Sequence, residues 1–119
     1  MSVLPEMQRY LATARRRQQQ RKENLHQRRQ HALAQAKVAA HILREEFDVS
    51  RIVVFGSVLD ESAFHESSDL DLAVWNLSSS DYVDAVARLL RLTDFSIDLV
   101  EAERATPYLQ ASIEKGLDL

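Results

Sequence analysis

Apolar positions change their spacing along this chain, and the changes divide it. From about Met7 to Phe47 neither glycine nor proline interrupts a stretch of Ala, Arg, Gln, Leu, Lys and Glu, residues that lose little entropy in a helix. Pro5 suits a first helical turn, so the pattern predicts one long helix or two collinear ones. Ala36, Ala40, Leu43 and Phe47 recur at four- and three-residue steps and predict a face that packs on the rest of the molecule. Between Gln18 and His31 the only large aliphatic residue is Leu25, with arginine and lysine on opposite faces, and that part is expected to project. Further on, Ile52–Phe55 reads as a short buried strand ended by Gly56. Leu70, Leu72 and Val74 alternate with Asp69, Asp71 and Ala73, the two-residue period of a strand with one apolar and one polar face. Tyr82, Val83, Val86, Leu89 and Leu90 return to helical spacing, with Ser79 or Ser80 as the expected cap. Phe95–Val100 alternates again and places Asp98 opposite Ile97 and Leu99. A last helix, roughly Pro107–Lys115, opens on a Thr-Pro pair and closes before Gly116, in the usual place for a glycine after a helix. The fold class is α+β (α/β): a small mixed sheet with flanking helices and a long N-terminal helix.

Composition sharpens this. The 119 residues are enough for one compact domain, and 45% hydrophobic with 28% charged residues describes an ordinary globular chain. With no cysteine, disulfides, thiolate catalysis and Cys-ligated zinc are excluded. No apolar run approaches the roughly 18 residues of a membrane span and no secretory pattern is present, so a cytoplasmic protein without a membrane partner is expected. The net charge of −3 hides an asymmetry: Met1–Phe47 carries ten Lys/Arg against four Glu, Asp48–Leu119 five against fourteen Asp/Glu. A basic helical arm (1–47) is thus joined to an acidic body (48–119), which argues for two different partner surfaces.

Chemistry concentrates in that body. Asp69 and Asp71 leave one face of their strand about 7 Å apart, and pairing of the Asp98 strand beside them brings a third carboxylate to the same place. Three gathered anions raise one another's proton affinity unless a cation compensates. Oxygen-only ligands suit Mg²⁺ or Mn²⁺, which bind through a few carboxylates plus substrate phosphates. Gly56, directly after the first strand and followed by Ser57, lets backbone N–H groups approach an anion while the hydroxyl offers another hydrogen bond. A phosphate turn beside a carboxylate cluster points to a nucleoside triphosphate, and not through a Walker motif, since no Gly-Lys-Ser/Thr occurs.

The stretch VVFGSVLDESAFHESSDLDLAV (Val53–Val74) resembles the signature of the minimal nucleotidyltransferases of the DNA polymerase β superfamily: strand, Gly-Ser, variable insert, Ser-Asp-x-Asp-Leu. FSIDLVEAERA and the later IEKGLDL are similar to the third-carboxylate strand and C-terminus of the same family. Two features depart from it. Eleven residues separate Ser57 from Asp69 where ten is common, and the glycine often found in that insert is missing, Glu61 or its neighbours standing instead. The resemblance implies a polymerase β-like fold in which Asp69 and Asp71 hold two metal ions and Asp98 holds the one that activates an acceptor hydroxyl. It also implies that Gly56, Ser57 and Ser68 belong to the nucleotide site, with ATP as substrate. In the toxin–antitoxin pairs that the chain most resembles, such a protein is the antitoxin and its partner a helical HEPN-type ribonuclease. That implies transfer of AMP to a tyrosine hydroxyl of the toxin and a hetero-oligomer with it. Two other functions stay open: a non-catalytic antitoxin acting by binding alone, and a nucleotidyltransferase acting on a small molecule or an RNA end.

The remaining candidates carry blander readings. The arginine run favours partner docking, through Leu4, Met7, Leu11 and Ala14, over nucleic acid. His26, His31 and His41 read as surface residues, His65 as a loop histidine, and Trp75 as packing rather than base stacking.

Overall fold

The structure, a computed structural model, describes Leu4–Leu119; the first three residues of the expected arm lie outside the described residues. Helix α1 (Pro5–Phe47) runs unbroken for 43 residues, about 64 Å. It stops at Asp48, which takes the left-handed conformation (φ 57°) often given to glycine, while the Asp48 and Val49 N–H groups close on the Arg44 and Leu43 carbonyls. Four strands follow: β1 (Arg51–Phe55), β2 (Leu70–Trp75), β3 (Ile97–Glu101) and β4 (Leu117–Asp118), with α2 (Tyr82–Leu90) before β3 and α3 (Pro107–Glu114) before β4. The sheet order is β3-β2-β1-β4; β2 and β3 are parallel through the α2 crossover, and β1 is antiparallel to both its neighbours.

Both faces of the sheet are covered, which is why Ile52–Phe55 is apolar throughout rather than alternating. On one side α1 and α2 close the main core with Ala32, Ala36, Ala39, Ala40, Leu43, Ala85 and Leu89 against Ile52, Val54, Leu70, Leu72 and Val74. The run of alanines lets α1 lie close on the strands. On the other side α3 closes a smaller core of Val53, Phe55, Ala73, Ala102 and Ile113. Thr106 caps α3 by accepting from the Leu109 N–H at 3.3 Å.

No residue of 5–24 is buried, and the molecule measures 68 × 30 × 19 Å. Its radius of gyration of 19.1 Å exceeds the roughly 13.5 Å of a compact chain of this length because the first half of α1 stands free. The projection ends earlier than the arginine pattern suggests: Arg28 stacks on the Phe95 ring at 4.4 Å and Arg29 is mostly buried, so α1 meets the body from Leu25 onward.

Other expectations need correction. Neither Ser79 nor Ser80 caps α2; a short 3₁₀ turn, Ser79–Asp81, leads into it instead. Val83 and Leu90 are exposed, and Ala85 and Leu89 supply its buried face. Strand β4 carries no periodic pattern and was not predicted. Gly116 follows α3 as expected, but its φ is not left-handed. A Cβ there would lie 2.3 Å from Val53 Cγ1 and 2.7 Å from the Val54 carbonyl, so close approach to β1 is what requires glycine.

Candidate active site

The parallel register of β2 and β3 sets Asp71 directly beside Asp98, and the antiparallel register of β1 sets Phe55 beside Asp71. Gly56, the next residue after Phe55, therefore arrives at the Asp71 carboxylate. It has φ +82°, and a Cβ built on it would stand 2.3 Å from Asp71 Oδ2. Glycine is needed here twice, for the backbone conformation and for the approach. Asp69 lies just before β2, exposed, two residues from Asp71. The registers thus bring Asp71 and Asp98 side by side at one end of the sheet, with Asp69 two residues before Asp71.

Their electrostatics agree with it. Asp71 is half-buried, and its carboxyl is pushed up to about 6, first by burial, then by the charges of Asp98 and Asp69. None of the ion pairs among the described residues involves any of the three. Among the described residues no three His, Asp or Glu side chains are gathered into a ready cation cage. The donors are all oxygen and unpaired with any cation among the described residues, Asp69 and Asp98 exposed and Asp71 half-buried, a set that fits a hard divalent cation sharing its shell with a phosphate ligand.

The Gly56–Leu59 segment forms a single 3₁₀ turn. Ser57 is half-buried in it and its carbonyl accepts from the Asp60 N–H at 3.0 Å. Ser68 is buried, and its hydroxyl accepts from the His65 N–H at 2.8 Å, so it closes the His65–Ser68 turn that leads into Asp69. His65 is a loop residue whose Nδ1 accepts from the Ser67 N–H. Trp75, on the same face as Asp71 but at the far end of β2, carries the Arg51 guanidinium at 4.4 Å, and Arg51 is paired with Asp118 of β4; its role is packing.

Sequence reading missed one group of contacts. Arg29 of α1 donates its Nε hydrogen to the Val58 carbonyl at 2.6 Å, and its Nη1 lies 3.6 Å from Glu61. His26 Nδ1 lies 3.4 Å from the same carboxylate. A groove of about 410 Å³ runs between Lys22–Arg29 of the helix and Glu61–Phe64 of the loop. The available signal was Arg29's place on the helix face that also carries Leu25, Ala32, Ala36 and Leu43.

Comparison with known proteins agrees with this arrangement. The family model described as "Polymerase beta, Nucleotidyltransferase" matches residues 37–118. No functionally curated protein matches the sequence. Among solved structures, a toxin–antitoxin crystallised with AMP-PNP superposes with TM-score 0.55 at 25% identity, over 66% of this chain and 67% of that one. A mutant of the MntA–HpeT toxin–antitoxin, in which two aspartates two positions apart are changed to glutamate, gives 0.55 at 22% identity over 71% and 70%. The MntA–HepT toxin–antitoxin gives 0.51 at 21% over 72% and 68%. The family match spans more than half of the sequence. The protein belongs to the polymerase beta nucleotidyltransferase family.

Proposed function

We propose that this protein is the antitoxin of a HEPN/MNT-type pair and transfers AMP from ATP to a tyrosine hydroxyl of its HEPN ribonuclease partner. The observation that carries the nucleotidyl-transfer half is the register that sets Asp98 beside Asp71 with Gly56 against the same carboxylate. The antitoxin half is supported by the solved toxin–antitoxin pairs to which the chain is similar.

In this reading the Gly56–Ser57 turn and Ser68 hold the triphosphate through backbone N–H groups and hydroxyls. Asp98, exposed and next to the nucleotide, takes the proton of the acceptor hydroxyl. The acceptor oxygen then bonds to the α-phosphorus, the bridging bond to the β-phosphate breaks, and pyrophosphate leaves. Two Mg²⁺ ions, or Mn²⁺, held by Asp69, Asp71 and Asp98 would neutralise the triphosphate and lower the acceptor's pKa. The protein's own contribution is positioning and charge. In this reading the acceptor belongs to another macromolecule, docked through the arm (1–47).

The test is the intact mass of the partner, the helical protein of the neighbouring reading frame, after incubation with ATP and Mg²⁺. Addition of one or more adenylyl groups is expected, and none with the Asp69→Asn/Asp71→Asn double variant. A partner that is inhibited but unmodified overturns the catalytic reading in favour of neutralisation by binding. Modification of an RNA end or a small molecule, with the partner untouched, overturns the acceptor.

A further inference from the structure

The turn after Gly56 is short, and the carbonyls at its end have no partners within it. Val58, fully buried, turns its carbonyl toward α1, where Arg29 meets it at 2.6 Å. The Arg29 side chain is only 17% exposed, so the bond forms largely out of water, where an unmet donor or acceptor is costly. The other end of the guanidinium faces Glu61, in the insert that follows the turn. This pairing uses the fork of an arginine: Nε goes to a carbonyl and Nη1 to a carboxylate. Glu61 is 69% exposed, and an ion pair so open to solvent is worth little. The bond to Val58 is therefore the one that matters. Arg29 lies outside residues 37–118, the span matched by the family model.

We propose that Arg29 is a positioning residue for nucleotide binding. Reaching from the arm into the catalytic body, it fixes the Gly56–Leu59 turn in the shape that presents its N–H groups to the triphosphate. The inference rests on the nucleotide reading of Gly56 and Ser57 given above.

The test uses the full chain as Arg29→Met, Arg29→Lys and Glu61→Gln. Amide hydrogen exchange at Ser57–Asp60 without nucleotide reads the turn itself, and calorimetric titration with ATP and Mg²⁺, well below the melting temperature, reads its use. Arg29→Met is expected to speed exchange in the turn and weaken ATP binding, each about tenfold, the equivalent of one hydrogen bond. Arg29→Lys should recover part of both, and Glu61→Gln should stay near wild type. Unchanged exchange at the turn in Arg29→Met overturns the proposal. Faster exchange with unaltered ATP affinity also overturns it, reducing Arg29 to a structural contact. A wild-type chain that binds no ATP overturns the nucleotide reading itself, while the exchange experiment still decides whether Arg29 holds the turn. Should Arg29→Met not fold, Arg29→Lys carries the same readouts.

Discussion

Asp71 concentrates the conflict between folding and function. An isolated Asp titrates near 3.8, whereas here burial and two neighbouring carboxylates move the group to about 6. The folded state therefore holds on to a proton that the unfolded chain releases. Stability from this group is complete below about pH 4, falls as the pH rises from about 4 to about 6, and is level above that. Asp71→Asn should raise the melting temperature at pH 7, by about 1 kcal/mol of stability once the screening of a half-exposed group is allowed for, while abolishing transfer. Melting curves of both proteins across pH 4–7 check the sign: their difference should open over that window, and a constant difference would contradict it. Mg²⁺ with ATP should raise the wild-type melting temperature and leave that of Asp71→Asn nearly unmoved. Gly56→Ala acts at the same point from the other side. The left-handed backbone costs an alanine about 1–2 kcal/mol, and its Cβ would displace the Asp71 carboxylate. Loss of both stability and ATP binding is expected by melting and titration.

At the scale of elements, what the sequence made legible depended on period. The alternation of Leu70–Val74 and of Phe95–Val100 placed Asp71 and Asp98 on the face opposite the main core; the structure covers that face too, with Ala73 and Val100 in or against the smaller core, and adds the register that makes the two aspartates neighbours. Long α1 was legible from composition. Strand β4 was not, because two residues have no period and Leu117–Asp118 is held in place by its pairing to β1. Gly116 was read by position, yet the cause lies in Val53 and Val54, far away in sequence. Arg29 stayed hidden because charge on a helix reads as a solvated face, and its partners, 29 and 32 residues on, come close only when α1 lies on the sheet. That packing depends on small residues. Ala36 is fully buried between helix and strands, and Ala36→Leu should cost about 1–3 kcal/mol by overpacking, read as a lower urea midpoint with an unchanged slope.

For the whole molecule, the decisive feature is a helix far longer than the body it packs on. Eighteen residues make about five turns, so Met7 lies in line with Leu25 and Leu43, Leu11 with Arg29, and Ala14 with Ala32. The free arm thus carries its apolar residues, Leu4 (69% exposed), Met7 (50%) and Leu11 (39%), on the side of the helix that the body occupies further on. A protein docked on that face would lie beside the Glu61–Asp69 loop, the edge of the body that leads into the carboxylates. A second arm fits there poorly, since residues 4–24 carry six Lys/Arg against two Glu and like charges repel across an interface. On the proposed function the occupant is the acceptor protein, held so that its hydroxyl reaches Asp98. Replacing Leu4, Met7 and Leu11 together by serine touches no buried contact, so the melting temperature and ATP affinity should stay unchanged. The KM for the partner protein should rise at least tenfold with kcat preserved at saturation, because the substitutions remove binding that is equal in ground and transition states. An unchanged KM would place the acceptor's docking site on the body instead.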